Sequence, residues 1–412
     1  MRITTLLKKL FAIKGMLVIG FKLEDGALIV EVRPTWRKPR CSCCQKTRPG
    51  YDTLPPRRWR SLDFGGVRVY LRAAVRRVTC RTSGVVAESV PWCDSTTSRF
   101  TTRFEEAVGF LTQRCDKTSV QEMFGIAWMT VGQIAERVVG RHRSGDPLDG
   151  LTAIGVDELS YRKRHRYVTT VTDHGSGRIV WAKEGKTAET LMAFFEALGV
   201  ERGLAIEAVT IDMSAAYIKA VREKVPHAQI IFDRFHVQKL VTEALDATRR
   251  QEWQRLRAVD PDAAKPVTGL CWPLRKNPWN LTPKQADRLS TLHRDNDRLY
   301  RAYLLKELFA DILDRRQPNV VKNQLEGWVA WARRSRLPAF VKVARTIRHH
   351  LGDIVAYVRY RLTNGIVEGL NNKLRVITHR AYGFHSASAL IAMIMLCCTN
   401  ISIRPPRITL AI

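Results

Sequence analysis

Three carboxylates in apolar or helical surroundings are the residues whose type and placement could do chemistry. Asp157 stands inside a strand-like run, Gly155-Val-Asp-Glu158, and Asp212 ends another, Val209-Thr-Ile-Asp-Met-Ser214. Strand ends in an α/β sheet carry side chains over a common edge, so both acids are expected to face one site. A carboxylate in an apolar strand is costly to desolvate unless a cation or a donor offsets it, and two converging carboxylates usually take a divalent metal. By spacing alone, two turn aspartates at strand ends fit equally well. The third acid, Glu368, lies in the helical run Thr363-Asn-Gly-Ile-Val-Glu-Gly-Leu-Asn-Asn-Lys373, with Asn371, Asn372, Lys373 and Arg375 nearby. A helical Glu beside Lys is ordinarily a solvated pair. Joined to the two aspartates, it would complete a site for two Mg²⁺ or Mn²⁺ ions, the arrangement that activates water or a 3′ hydroxyl against a phosphodiester.

A second constellation is built of thiols. Cys41-Ser-Cys-Cys44 is followed by Cys80-Arg-Thr-Ser83. Paired CxxC knuckles bind zinc because four thiolates complete a tetrahedron, but here the second pair is CxxS, and serine does not ordinarily hold zinc. Cys41, Cys44 and Cys80 therefore form a three-thiolate zinc site completed by a substitute such as Cys43 or Cys93, or a degraded one. The nine cysteines, in a chain with no recognisable secretion signal, are expected as free thiols rather than a disulfide framework.

The elements that must position these groups follow from the patterning. Residues 1–95 mix strand-like runs, such as Ala27 to Val32 and Val67 to Ala74, with turns and cysteines. Residues 96–150 turn helical: Asp116 to Val139 predicts two short helices about a Gly125-Ile126-Ala127 break, the size and turn chemistry of a helix-turn-helix, with Lys117 and Gln133 as candidate DNA contacts. The polar stretch Arg141 to Gly150 reads as a linker. Residues 151–236 predict the order β-β-β-α-β-α-β. Residues 237–360 lose strand character and predict an all-helical block interrupted by Pro261, Pro273, Pro278, Pro318 and Pro338. Two closing helices fill 361–412. In the helical block, Trp272, Trp279, Trp328 and Trp331 could stack on extruded bases, although core packing is the expectation for most of them. His236, three residues after Asp233, reads by itself as a core residue beside a strand.

Composition bounds the partner. The 412 residues carry 68 Lys and Arg against 39 Asp and Glu, a formal net charge of +29. Such an excess would repel itself in a compact fold unless a polyanion were the working partner, and nucleic acid is the commonest one. The longest apolar stretch, Ala387 to Cys398, is short of the roughly 20 residues a membrane span needs. No membrane partner and no signal peptide are expected, and the location expected is cytoplasmic, with the nucleoid.

Taken together, these residues resemble the DDE transposases of bacterial insertion sequences, specifically the ISL-three family, over almost the whole chain. The resemblance rests on the Cys41/Cys44/Cys80 knuckle with Tyr51, Arg58, Trp59 and Pro91-Trp92, the helix-turn-helix, GVDE at Asp157 and IDMSAAY at Asp212. Two longer blocks add to it: FDRFHV at Asp233 to Val237 and TNGIVEGLNNKLRVITHRAYGFHS around Glu368. The departure is Ser83, where the family carries a cysteine. The resemblance implies a multi-domain α/β chain: a small zinc-finger-like domain, a helix-turn-helix, and an RNase H-like catalytic core whose third acid follows an all-helical insertion. The separations of 55 residues from Asp157 to Asp212 and 156 from Asp212 to Glu368 agree with such an insertion. It moves Asp233 and His236 to the neighbourhood of the active site. It implies metal-dependent cleavage at element ends followed by strand transfer, with Asp157 bridging two ions, Asp212 holding one and Glu368 the other. Lys373, Arg375 and Arg380 would neutralise phosphates of terminal inverted repeats and target DNA, and the protein is expected to self-associate on paired ends. A non-catalytic DNA-binding protein and an RNase H-like nuclease are the competing classes.

Overall fold

Short β-branched runs bounded by glycine turns build the first part of the chain, and leucine- and alanine-rich helices build most of the rest. The computed structural model describes residues 2–143, 145–162, 166–292, 296–360, 362, 365–381, 384 and 386–405, without the side chains of residues 162, 263 and 365–368. The chain divides into two compact units, Met1–Ser144 with Ile377–Ile412, and Gly145–Val376.

The first unit opens with α1 (Ile3–Phe11), β1 (Met16–Glu24), β2 (Ala27–Pro34), β3 (Gly50–Thr53), β4 (Arg57–Phe64), β5 (Val67–Ala73), β6 (Arg76–Cys80) and β7 (Gly84–Ala87). They form a four-stranded sheet in the order β1-β2-β5-β4 and a three-stranded sheet β3-β6-β7. The β1–β2 hairpin closes through Asp25-Gly26, both at positive φ (50° and 70°), the two-residue turn whose twist matches that of the strands. Alternation in β2 and β5 points Val30, Val32, Val69 and Leu71 into a core where Trp59 and Trp92 meet edge to face, 5.4 Å between centroids.

Three helices follow: α2 (Thr102–Thr112), α3 (Lys117–Phe124) and α4 (Trp128–His142). Asp116 caps α3 by accepting from the N–H groups of Thr118 and Ser119, and Gly125 ends it in the left-handed conformation (φ 57°) that a side chain would resist. Val131, Ile134, Ala135 and Val138 bury the inner face of α4. The contact of α2 with α4 is close enough that a Cβ on Gly109 would lie 2.9 Å from Val138 Cγ1. Between these helices the buried Glu105 carboxylate (1% exposed) takes Arg137 Nε at 2.7 Å, an Arg141 nitrogen at 2.6 Å and the Ser98 hydroxyl at 2.7 Å. The C-terminal helix Ala387–Cys397, capped by Ser386, packs on α4 and buries Leu390, Met393, Ile394 and Leu396. No helix among the described residues is long and apolar enough to cross a membrane.

The second unit begins β8 (Ala153–Arg162), β9 (Arg166–Asp173), β10 (Arg178–Glu184), α5 (Ala188–Leu198), α6 (Val200–Gly203), β11 (Ala208–Ile211), α7 (Ala215–Lys224) and β12 (Gln229–Phe232). This is the order expected from the sequence with the single turn α6 added. The sheet runs β10-β9-β8-β11-β12, with β8–β9 and β9–β10 antiparallel and β8–β11 and β11–β12 parallel. All four residues of β11 are buried, as expected of a central strand covered on both faces.

Beyond β12 the described residues are helical: α8 (Arg234–Val259), α9 (Pro261–Thr268), α10 (Cys271–Arg275), α11 (Pro283–Ser290), α12 (Asp297–Asp314), α13 (Pro318–Arg334), α14 (Pro338–His349), α15 (Leu351–Tyr360) and α16 (Gly365–Arg380), with a 3₁₀ turn at Pro278–Asn280. Pro261, Pro318 and Pro338 each occupy the first helical position, where a missing N–H costs nothing, so these interruptions are helix starts. Trp328 is buried and donates from Nε1 to the Leu305 carbonyl at 2.8 Å, and Trp331 packs partly buried on the same core. Trp272 and Trp279 depart from the core-packing expectation, at 68% and 76% exposed.

The Glu105 network predicts the largest single-site loss in the first unit. Replacing Glu105 by Ala leaves Arg137 and the Ser98 hydroxyl without their carboxylate while Arg141 keeps Glu106 and Asp94, and the expected loss is about 3 kcal/mol in denaturant titration. Asp52→Ala, which removes the exposed partner of Arg77, is expected to cost less than about 1 kcal/mol in the same measurement. Equal losses would show that burial of the Glu105 pair does not carry the packing of these helices.

Candidate functional site

Strand register decides where the acids go. In the parallel ladders Thr210 pairs with Gly155, and Ile211 pairs with Phe232. One or two residues further along, Asp212 falls level with Asp157 on one side and Asp233 on the other. Adjacent strands lie about 4.8 Å apart, so this register, continued past its last pairs, brings the three aspartates close together at the ends of the parallel strands. Both β11 and β12 end just before their aspartates, while β8 continues, paired only to β9.

Each aspartate is held by local backbone. Asp157 Oδ1 accepts the Glu158 N–H at 2.7 Å, Asp212 Oδ1 accepts the Ser214 N–H at 3.0 Å, and Asp233 Oδ1 caps α8 by accepting the Phe235 N–H at 2.7 Å. His236, one turn into α8, brings Nε2 to 3.7 Å from Asp233 Oδ2. Asp157, Asp233, His236, Lys239, Asn371 and Arg375 line an open cleft of about 340 Å³ together with Glu158. His236 is therefore a cleft residue, not the core residue that its isolated reading suggested.

The electrostatics are those of crowded acids. Burial raises the pKa of Asp212 above the usual carboxylate range, Asp157 adds to the rise, and the Ser214 N–H, His236 and Lys239 oppose it. Glu158 is raised by burial first and then by Asp212 and Asp157, against Lys186 and His236. Beneath them Tyr217, 1% exposed, is pushed up to about 12 by burial, and its hydroxyl lies 2.9 Å from Thr169 Oγ1. Desolvated, mutually repelling carboxylates with hard oxygen donors suit an oxygen-seeking divalent cation, so the residues present fit Mg²⁺ or Mn²⁺.

Helix α16 brings a further group. Asn371 donates from Nδ2 to Asp157 Oδ2 at 2.5 Å. Glu368 lies on the same helix three residues earlier; its side chain is outside the described residues, as are residues 363, 364, 382, 383 and 385 of the same block. Lys373 and Arg375 are exposed on α16. Sequence reasoning placed Asn371 near Glu368 without giving it a role, and it passed over Glu158, Tyr217 and Lys239 as members of the site. Glu158 and Tyr217 stand in the GVDE and IDMSAAY runs, so the signal for those two was adjacency to an acid already singled out.

Two expected DNA contacts are placed otherwise. Lys117 is 5% exposed, with Nζ 4.3 Å from the Trp128 ring centroid, and burial lowers its pKa. Desolvation and the indole ring hold it within the helical core instead of on a DNA-facing surface. Arg380 donates to the carbonyls of Thr112 and Gln113 at 3.3 and 3.4 Å, so it closes the C-terminal end of α2. Gln133 stands exposed on the outer face of α4.

The thiols converge in the first unit. The sulfurs of Cys41, Cys44 and Cys80 lie within 4.8 Å of one another, with Cys44 and Cys80 at 3.8 Å. Tetrahedral zinc–sulfur bonds of about 2.3 Å put sulfurs about 3.8 Å apart. Hydrogen bonds from the Thr82 hydroxyl and backbone draw the Cys80 thiol down to about 5. The Lys46 N–H and the Arg48 guanidinium lower Cys44, while burial raises Cys41. Neither suggested substitute joins the cluster among the described residues: Cys43 is exposed, and Cys93 lies in the tryptophan core with its thiol donating to the Ser95 carbonyl at 3.0 Å. The three-thiolate set fits a structural zinc.

Comparison with known proteins covers both parts of the chain. Residues 154–394 match the ISL3-type DDE transposase family model, described as transposase. Residues 37–82 match the zinc-finger of the transposases of IS204, IS1001, IS1096 and IS1165, a match that stops one residue before Ser83. The chain is 39% identical over 396 residues to the transposase for insertion sequence element IS1557 of Mycobacterium tuberculosis, covering 90% of this chain and 89% of that protein. It is 30% identical over 360 residues to the transposase for insertion sequence element IS1001 of Bordetella parapertussis, covering 87% and 88%. The chain belongs to the ISL-three family of insertion-sequence transposases.

Proposed function

We propose that this transposase nicks DNA at the ends of its element and joins the freed 3′ hydroxyls to target DNA, using Asp157, Asp212 and Glu368 as the ligands of two Mg²⁺ or Mn²⁺ ions. The observation that carries the reading is the parallel β8–β11 register, with Thr210 opposite Gly155, which continued by two residues brings Asp212 beside Asp157. The spatial strand order, third-second-first-fourth-fifth with the antiparallel pairs at one side, supports an RNase H-like core, and the long helical block between β12 and α16 supports an insertion before the third acid. Divalent ions at such a site supply Lewis-acid stabilisation of the phosphodiester and lower the pKa of the attacking hydroxyl or water.

The chain's own residues would do the rest. Asp233, fixed as the cap of α8, orients His236 toward the cleft, and Lys239 and Arg375 place positive charge at its rim for phosphate oxygens. Helices α3 and α4, joined by the Gly125 turn, form a helix-turn-helix whose outer face presents Gln133 to DNA. Lys373 and Arg375 bind phosphates, a role that the placement of Lys117 and Arg380 does not support. Cys41, Cys44 and Cys80 hold zinc, and the protein self-associates on paired element ends.

Asp157→Asn and Asp212→Asn are each expected to cut cleavage about a thousandfold, the loss of several kcal/mol of transition-state stabilisation, on a labelled fragment carrying the flanking inverted repeats with Mg²⁺. Cleavage by Asp157→Asn at the parent rate would exclude the assignment, and cleavage without joined product would make the protein a nuclease. Lys373→Ala is expected to weaken binding similarly for all DNA sequences and to reduce the slope of log affinity against log salt by about 0.9. For zinc, Cys80→Ser should lose bound metal measured by elemental analysis, whereas Ser83→Cys should keep it against stronger chelation. No zinc in the parent and none gained with Ser83→Cys would refute the three-thiolate site.

A further inference from the structure

Asp157 accepts two hydrogen bonds, and they come from different sources. The Glu158 N–H is local backbone, one residue away, whereas Asn371 Nδ2 reaches Oδ2 at 2.5 Å from α16, the helix that carries Glu368. Leu370 and Leu374, on either side of Asn371, are 9% and 1% exposed, so apolar burial holds α16 while the half-buried Asn371 faces the cleft. The carboxamide must point its NH₂ at the carboxylate, because the reverse orientation would set two acceptor oxygens against each other.

An amide donor on a carboxylate stands where a cation would otherwise be. The surroundings make such a donor necessary: Asp157, Glu158 and Asp212 repel one another here, and an unpaired half-buried carboxylate is expensive. A divalent cation that took Asp157 Oδ2 as a ligand would compete with Asn371 for that oxygen.

We propose that Asn371 is a positioning residue, a latch that holds Asp157 and α16 together in the metal-free protein and yields Asp157 Oδ2 when a divalent cation binds. This rests on the two-metal reading of the acids given above. The latch sets the metal dependence of the enzyme: it keeps the strand and the helix bearing the third acid in place before metal arrives, at the expense of metal affinity.

The test uses the full-length, zinc-loaded chain as the parent protein and as Asn371→Ala, Asn371→Asp and Asp157→Asn. Mn²⁺ binding is followed by the loss of its free electron paramagnetic signal, and thermal midpoints are measured with and without Mg²⁺. Without metal, both Asn371 variants are expected to melt below the parent, and the Asp variant lower, because a second carboxylate then faces Asp157. With metal, both gain more than the parent, and half-saturating Mn²⁺ falls severalfold for Ala and about tenfold for Asp, where an added ligand charge tightens the site. If the Asp variant folds only with Mg²⁺, that is the expected restoration, and the Ala variant carries the binding comparison. Unchanged midpoints and unchanged Mn²⁺ half-saturation in both variants would overturn the latch. Weaker Mn²⁺ binding by Asn371→Ala would also overturn it, making the amide a ligand instead. Mn²⁺ binding in the parent that Asp157→Asn does not alter would bring down the two-metal reading itself, and the latch with it.

Discussion

The parallel register of β8, β11 and β12 is the constraint on which the site depends. Side chains alternate along a strand, so a slip of one residue in either ladder would turn an aspartate to the other face. What prevents the slip is burial: Ile154, Val209, Ile211, Ile230, Ile231 and Phe232 lie inside cores that a shifted strand would expose. Hydrophobic packing thus does electrostatic work. It holds the ends of the parallel strands, and the acids that follow them, close together where their repulsion alone would drive them apart.

This acidic edge sits in a chain of net charge +29. The basic excess supplies attraction for a polyanion over the whole surface, which is long-ranged, salt-sensitive and indifferent to position. The carboxylates make a place where that attraction is locally reversed, and the residues there fit a hard cation. His236, Lys239 and Lys186 lie around the acids and oppose the rise in their pKa values. Glu158 and Tyr217 share this crowded region, and both groups sit above their ordinary pKa ranges chiefly because they are buried, with the neighbouring acids adding to the rise.

Several cations that resemble DNA contacts by composition belong instead to the architecture. Arg137 and Arg141 neutralise the buried Glu105, Lys117 lies against Trp128, and Arg380 caps a helix C-terminus. In the helical block, Asp246 collects Arg249, Arg250 and Arg275, and Glu252 collects Arg255 and Arg298. A buried carboxylate needs partners, so it engages arginines that stay exposed, such as Arg250 at 64% and Arg255 at 58%, and that a reading of charge alone would leave free for DNA.

Much of the layout was legible in the sequence by itself. Periodicity gave the order β-β-β-α-β-α-β, glycine and proline marked turns and helix starts, and the identity and neighbours of Asp157, Asp212 and Cys41/Cys44/Cys80 marked both candidate sites, to which the family resemblance added Asp233 and His236, because local propensity and residue chemistry are written in short windows. Other features needed the tertiary structure. Asn371 meets Asp157 from 214 residues away, Lys117 and Trp328 are buried while Trp272 is exposed, and Cys93 is excluded from the thiol cluster. These depend on which faces of distant elements pack together, and that choice is made by the burial of the whole core, which no short stretch of sequence contains.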